Sequence, residues 1–181
     1  MIYEEKEFTV KDGTKVTVRT PSKDDAADLL DFIKTICGQT DFLLSSPEDF
    51  NRSVESEAEF IETMRTGRDW LLVACVGGKI IGDCSLAFNR HLKDRHRSSV
   101  GIGIDREYWN RGIGSLFFDI LIDIAKNTKG IEQMELGVID KNERAKHLYE
   151  KKGFVKTGSI PHALKLKDGT YFDEEMMTKF L

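Results

Sequence analysis

The stretch SSVGIGIDREYWNRGIGS, from Ser98 to Ser115, constrains this chain more than any other. Val100, Ile102 and Ile104 alternate with small residues, which predicts a strand that something else approaches closely. A short polar turn follows, and Gly112-Ile113-Gly114-Ser115 then opens an amphipathic run with helical spacing. The first turn of a helix carries backbone N–H groups with no partner inside the helix, and the aligned peptide dipoles make that end electropositive. Glycines place no Cβ over those donors, so a phosphate can rest directly on them.

Two well-known phosphate loops do not fit the stretch. A Walker loop needs Lys and Ser/Thr after its last glycine, whereas Gly114 is followed by Ser115 and Leu116. A dinucleotide fingerprint needs a third small residue, and Phe117 stands there. Taken alone, a G-x-G at a helix start is also compatible with an ordinary tight turn.

A second segment narrows the choice. Asn142, Ala145, Leu148, Tyr149, Gly153 and Phe154 lie in DKNERAKHLYEKKGF, directly after an apolar run from Met134 to Ile139. Together with Trp109-Asn110-Arg111-Gly112-Ile113-Gly114, this resembles the GNAT superfamily of acetyl-CoA-dependent N-acetyltransferases. The hallmark of that family is a Gln/Arg-x-x-Gly-x-Gly/Ala loop at a helix start, then a strand and an Asn-x-x-Ala-x-x-Leu-Tyr helix ending in Gly-Phe. The likeness runs from about Thr14 to the C-terminus, and its specific part is Ser98 to Phe154. One position departs from the pattern, because Trp109 stands where the family has Gln or Arg.

The resemblance implies acetyl-CoA as cosubstrate, no metal, and an acetyl group moved to a primary amine by direct attack in a ternary complex. It implies that a diphosphate sits on the loop formed by Trp109, Asn110, Arg111, Gly112, Ile113, Gly114 and Ser115, with Arg111 as a nearby cation. The pantetheine arm would bond to the backbone of Ile102, Gly103 and Ile104 as a false strand partner. Gly101 and Gly103 would permit that approach, although glycines are also simply tolerated in weak strands. Asn142 would reach the cofactor arm besides capping its helix, and Tyr149 would donate a proton to the departing CoA thiolate. On spacing alone, Ala145, Leu148 and Tyr149 also read as a core stripe, and Asn142 as a cap.

No general base is evident. Many family members carry a carboxylate on the strand where this chain has Ser98 and Ser99. An amine is mostly protonated near neutral pH, so a group must take a proton before attack. Asp83, mid-strand among apolar residues, is one candidate, and an outward-facing carboxylate is the plainer account of it. His162 is another, since the loop after the Tyr149 helix borders the acceptor site in relatives; a surface histidine would look the same. Glu55, Glu57 and Glu59 stand on a helix that lines the acceptor pocket in the family, where they would attract a cationic amine or merely form a solvated face. His91 and His96, five apart in a charged loop, do not have metal-ligand spacing.

Bulk properties agree with one domain over residues 1–181. A net charge of −4 with pI near 5.6 offers no basic footprint for nucleic acid. The start, MIYEEKEF, has no secretory pattern, and the richest apolar run is cut by Asp119 and Asp123, so a cytoplasmic, non-membrane protein is expected. Cys75 and Cys84 flank a Gly77-Gly78 hairpin whose expected register sets Cys84 opposite Leu71, about 13 Å of strand from Cys75 and too far to bridge.

Hairpins are predicted across Asp12-Gly13, Gly77-Gly78 and Asp168-Gly169. A helix capped by Ser22 and Asp25 runs to about Ile36, and a second runs from Pro47 to Thr66 with Phe60, Ile61 and Met64 inward. On the strand from Lys79 to Phe88, Ile80, Cys84, Leu86 and Phe88 should share one face, with Asp83 and Ser85 on the other. The helix from Ile113 to Lys126 should bury Leu116, Phe117, Ile120, Leu121 and Ile124. Strands at both ends with helices between predict a mixed α/β fold, a mostly antiparallel central sheet with helices on both faces, as in the GNAT family. The acceptor stays open among a small amine, an aminoglycoside, a polyamine, an amino acid and a protein amino terminus. Relatives commonly form homodimers, for which the terminal strands offer a route. Two rivals remain at this stage: a non-catalytic CoA-binding regulatory module, favoured by the missing strand carboxylate, and a phosphate binder that uses only the helix start.

Overall fold

The computed structural model describes residues 1–181. Strands β1 (Lys6–Thr9) and β2 (Lys15–Arg19) flank the Asp12-Gly13 turn, where Gly13 takes a left-handed φ of 85°. The Ser22–Asp25 capping box forms as predicted and leads through a 3-10 turn into α1 (Ala26–Gln39). The order continues with α2 (Val54–Thr66), β3 (Trp70–Val76), β4 (Lys79–Phe88), β5 (Arg97–Ile104), α3 (Ile113–Asn127), β6 (Gln133–Ile139), α4 (Glu143–Lys151), β7 (Val155–Lys165) and β8 (Tyr171–Phe180).

The eight strands form one sheet in the order β1-β2-β3-β4-β5-β6-β8-β7. Pairings β1–β2, β2–β3, β3–β4, β6–β8 and β7–β8 are antiparallel, while β5–β6 is parallel. A parallel pair needs a long crossover, and α3 supplies it. The mixed, mostly antiparallel α/β architecture expected from the sequence is the one observed.

By contacts the chain divides into two compact units, Met1–Ala87 with Gly101–Phe117, and Phe88–Val100 with Phe118–Leu181. In the first, Ala26, Leu29, Phe32 and Ile36 of α1 and Ile61 of α2 pack on Leu71, Val73, Cys75 and Ile80. Phe117, from the first turns of α3, covers the other face; its ring lies 3.1 Å from where a Cβ on Gly82 would stand. Burying these side chains contributes on the order of 2 kcal/mol each. In the second unit, Phe118, Tyr149 and Phe154 form an aromatic cluster, with ring centroids 5.2 Å apart for Phe118–Tyr149 and 5.5 Å for Phe118–Phe154. Phe118 is fully buried although the 3–4 spacing did not single it out, while Leu116 and Ile124 are only half-buried.

Three expectations are corrected. The second helix is broken: Pro47–Asp49 makes a separate 3-10 turn, and α2 starts afresh at Val54 with Ser53 as its cap. Phe60 is exposed under the Arg52 guanidinium and does not face inward. A bulge also changes the phase of β4. Cys75 pairs with Ile80 but Ala74 pairs with Gly82, so Ile81 is an extra residue. Ile80 therefore packs beneath α1 and α2 on the face of Asp83 and Ser85, and the same slip puts Cys84 opposite Leu72, not Leu71. All three cysteines are buried free thiols.

Candidate active site

The end of β5 is fixed by a small polar hub that the sequence did not reveal. Asp105 is buried, its N–H donates to the Ile81 carbonyl at 3.0 Å, and its carboxylate accepts from Glu107 N–H at 3.1 Å and from Gln39 Nε2 at 2.9 Å. Gln39 in turn accepts the Arg106 N–H at 2.8 Å, so the end of α1 holds the exit of the strand. An Asp directly after an apolar strand and two residues before Glu107 was the available signal, a short capping pattern.

Beyond the hub, Trp109 donates its indole N–H to the Ile104 carbonyl at 2.7 Å. The family's Gln or Arg is thus replaced here by a residue that clamps the loop to the strand and occupies the Ile104 acceptor. Asn110 and Gly112 then adopt left-handed φ angles of 63° and 97°, which turn the chain sharply into α3. The β1–β2 turn braces this corner: Lys11 N–H donates to the Arg111 carbonyl at 3.1 Å, and Asp12 pairs with the Arg111 guanidinium at 3.3 Å. Arg111 also donates to the Glu107 carbonyl at 2.9 Å and lies over the Tyr108 ring. Its charge is therefore engaged within the loop.

The first bond of the helix runs from Leu116 N–H to the Gly112 carbonyl at 3.0 Å. The N–H groups of Ile113, Gly114 and Ser115 precede that ladder and have no partner within it. The residues present fit a diphosphate: bare first-turn amides, no Cβ on Gly112 or Gly114, and a rigidly held corner.

Near this corner, two glycines of β5 face polar side chains of β4. A Cβ on Gly101 would stand 2.8 Å from Ser85 Oγ, and one on Gly103 would stand 2.6 Å from Asp83 Oδ1 and 2.5 Å from Ile36 Cδ1. The two glycines are what leave room for the polar side chains of β4. Gly103→Ala is therefore expected to destabilise the protein by about 1–3 kcal/mol through overpacking. Urea unfolding with an unchanged midpoint would refute this.

Asp83 is not the outward carboxylate of the plainer sequence account. Burial pushes its pKa up to about 7, and the Glu57 carboxylate pushes in the same direction against a stabilising Gly103 backbone contact. Asp25 in the same unit shows the contrast, since the Arg19 guanidinium, at 2.7 Å to each oxygen, holds it at about 2. Of the three acids on α2, Glu55 and Glu59 are exposed while Glu57 is buried. Glu57 Oε2 accepts from Arg52 at 3.3 Å, and Oε1 has no hydrogen-bond partner.

In the second unit, Asn142 caps α4, its Oδ1 accepting the Ala145 N–H at 3.3 Å. The amide nitrogen of its side chain is left as a donor. Tyr149 is buried within the aromatic cluster, and burial pushes its pKa up to about 12. His162 occupies a bulged stretch of β7 with a left-handed φ of 52°, stacked on Tyr171 at 4.5 Å between ring centroids. It is exposed, with its backbone N–H on Asp173 at 2.8 Å. No group of three or more His, Cys, Asp or Glu side chains could hold a metal ion, and no helix is long and apolar enough to cross a membrane.

Known proteins share this fold. Among solved structures, an acetyltransferase of the GNAT family from Streptococcus pneumoniae is 28% identical, covers 92% of this chain and 99% of its own, and superposes with a TM-score of 0.87. The structure of yncA from Salmonella typhimurium with its cofactor acetyl-CoA, 20% identical with a TM-score of 0.78 over 92% of this chain and 94% of its own, shares the fold. The L-amino acid N-acetyltransferase AaaT of Escherichia coli is 29% identical over 108 residues, which span 60% of this chain and 66% of that relative. The model of the acetyltransferase (GNAT) family matches residues 39–154, from the end of α1 through α4 to Phe154, and includes β5, the α3 corner and Asn142. With a match over more than half of its length, the chain belongs to the GNAT family of N-acetyltransferases, enzymes whose acyl donor is acetyl-CoA.

Proposed function

We propose that this chain moves the acetyl group of acetyl-CoA to the primary amine of a small acceptor, by direct attack with both substrates bound. Acetyl-CoA supplies the activated acyl group and a thiolate leaving group. The observation that carries the reading is the braced corner at Asn110–Ser115, whose first-turn amides suit the diphosphate. The β5 backbone at Ile102 and Gly103 would take the pantetheine arm, with the Ile104 carbonyl already held by Trp109. Asn142, whose Oδ1 serves the helix cap, has an amide N–H that the family resemblance assigns to the cofactor.

Direct attack is favoured over an acyl-enzyme by the state of the thiols. Cys37, Cys75 and Cys84 are buried, and desolvation raises the pKa of each, so none is a ready nucleophile. Free thiols also suit a reducing compartment such as the cytoplasm.

Tyr149 would serve the leaving group as a hydrogen-bond donor. Passing its proton fully from a phenol at about 12 to a thiolate of ordinary pKa, about 8.5, is uphill by roughly 5 kcal/mol. A hydrogen bond to the developing thiolate has no such penalty and acts most strongly where the negative charge is greatest.

The Escherichia coli relative acts, by its name, on L-amino acids, which makes an α-amino acid the first acceptor to test. Calorimetry with CoA and a thiol-release assay with acetyl-CoA against L-amino acids, polyamines and aminoglycosides decide the matter. Micromolar CoA binding and release with one acceptor class support the reading. CoA binding without release across the panel would make the chain a binding module, and no heat with CoA would overturn the phosphate seat.

A further inference from the structure

The reading above leaves a chemical step without an owner: the acceptor arrives as an ammonium ion and cannot attack until it loses a proton. The strand that carries a carboxylate in many relatives has Ser98 and Ser99, and Ser98 is fully buried with its hydroxyl on the Gln133 carbonyl. We propose that Asp83 takes this proton, and that Glu57 is the positioning carboxylate that draws the ammonium to it. This rests on the acetyl-transfer reading.

The placement argues for it first. Asp83 stands on β4 against Gly103 of β5, the strand whose backbone is assigned to the pantetheine arm, and its Oδ1 occupies the space a Gly103 side chain would fill. Ser85 stands likewise against Gly101. Two glycines in succession on one face thus trade hydrophobic packing for a polar wall. Asp83 is partly open to solvent, so a proton taken there can leave. Such a wall adds no apolar surface to the core.

Glu57 supplies the independent observation. It is only 1% exposed, its charge acts on Asp83, and its Oε1 lacks any hydrogen-bond partner. Leaving a buried carboxylate oxygen unsatisfied costs about 1–3 kcal/mol or more, so a buried acceptor of this kind is built to be met by a donor. An ammonium N–H is the donor that also answers the charge of Asp83. The groups facing Asp83 are Glu57 from α2, Cys37 from α1, the Gly103 backbone from β5 and the neighbouring Cys84 on its own strand. None of them is a cation, and Arg52 meets Glu57 at Oε2, which leaves Oε1 without a partner. Arg52 already pairs with Glu57, so the charge left for the acceptor to neutralise is that of Asp83.

The step balances. The ammonium gives one proton to the Asp83 carboxylate, and the freed nitrogen lone pair forms the N–C bond to the acetyl carbon. The C–S bond breaks with its electron pair on sulfur. The second nitrogen proton is lost as the amide forms and ends on the thiolate, and Asp83 returns its proton to water. A base with a pKa near 7 is well matched to this work, being about half ionised at neutral pH and strong enough to accept a proton.

The test measures acetyl transfer to the best acceptor of the amine panel, from pH 5.5 to 9, in wild type, Asp83→Asn and Glu57→Gln. Infrared difference titration of the same proteins follows the protonated-carboxyl band. Asp83→Asn should lower kcat by about 10²–10³-fold with the KM for acetyl-CoA unchanged, and remove both the acid limb near pH 7 and the band. Glu57→Gln should raise the acceptor KM, move the limb and the band to lower pH, and keep most of kcat on the alkaline side. A limb that stays in Asp83→Asn, or a rate within about threefold of wild type, overturns this inference alone. A wild type that releases no thiol overturns the transfer reading itself.

Discussion

Tyr149→Phe is expected to reduce turnover by about 10²–10³-fold, the usual cost of removing one donor from a developing anion. CoA affinity should change by less than about twofold, because the proposed diphosphate contacts are backbone amides of the α3 corner. The ring itself is kept, and with it the contacts to Phe118 at 5.2 Å and Phe154 at 6.3 Å between centroids. Stability should therefore stay within about 1 kcal/mol of wild type near neutral pH. The phenol pKa of about 12 adds a second signature. Wild-type turnover should show no alkaline fall from this group up to pH 10, since the proton remains in place. At higher pH the sign is clear: the folded state holds the proton more tightly than an unfolded tyrosine at about 10, so stability is lost as pH rises from there toward 12. That loss should be missing in Tyr149→Phe. Single-turnover rates that match between the two proteins would remove Tyr149 from the reaction.

Asp83→Asn should make the protein more stable even as it disables it. An unfolded aspartate titrates near 3.9, whereas Asp83 in the folded chain titrates at about 7. Below the unfolded value both states carry the proton, and the site contributes its full stability. Between these values the unfolded chain releases its proton first, so stability falls as pH rises through that window. At pH 8 the deficit approaches about 4 kcal/mol as an upper bound, roughly three units at 1.36 kcal/mol each. An asparagine does not ionise and escapes the penalty. The variant should thus match wild type at pH 4 and exceed it by up to about 4 kcal/mol at pH 8, raising Tm by as much as about 10 °C. Denaturation at the two pH values checks this. Parallel pH profiles for both proteins would show that the carboxyl is solvated and ordinary. A stability gain coupled to lost turnover is the mark of a group kept for chemistry and not for packing.

Much of the architecture was legible because it depends on local signals. The Asp12-Gly13, Gly77-Gly78 and Asp168-Gly169 hairpins and the Ser22–Asp25 capping box formed where the residues predict. The Gly112–Ser115 helix start did so too, and the structure adds that Gly112 lies in the left-handed region. These features need only a few neighbouring residues. What failed was phase and break. The extra residue at Ile81 exists because β3 and β4 pair across a bulge, and no pattern within β4 records it. The segment holds two starts, Ser46 for a 3-10 turn and Ser53 for α2, and the sequence reading merged them.

By itself, the sequence determined the order of strands and helices, the glycine-led start of α3 and the family, because turns, caps and motif spacing are written in contiguous residues. Only the tertiary structure decided that Trp109 clamps Ile104, that the β1–β2 turn braces the α3 corner, and that Asp83 and Glu57 are inward while Glu55 and Glu59 are not. The physical reason is that burial and charge belong to a place and not to a residue. A carboxylate becomes a base near pH 7 when other segments of chain strip its water and bring a second carboxylate close, and those segments lie far away in the sequence.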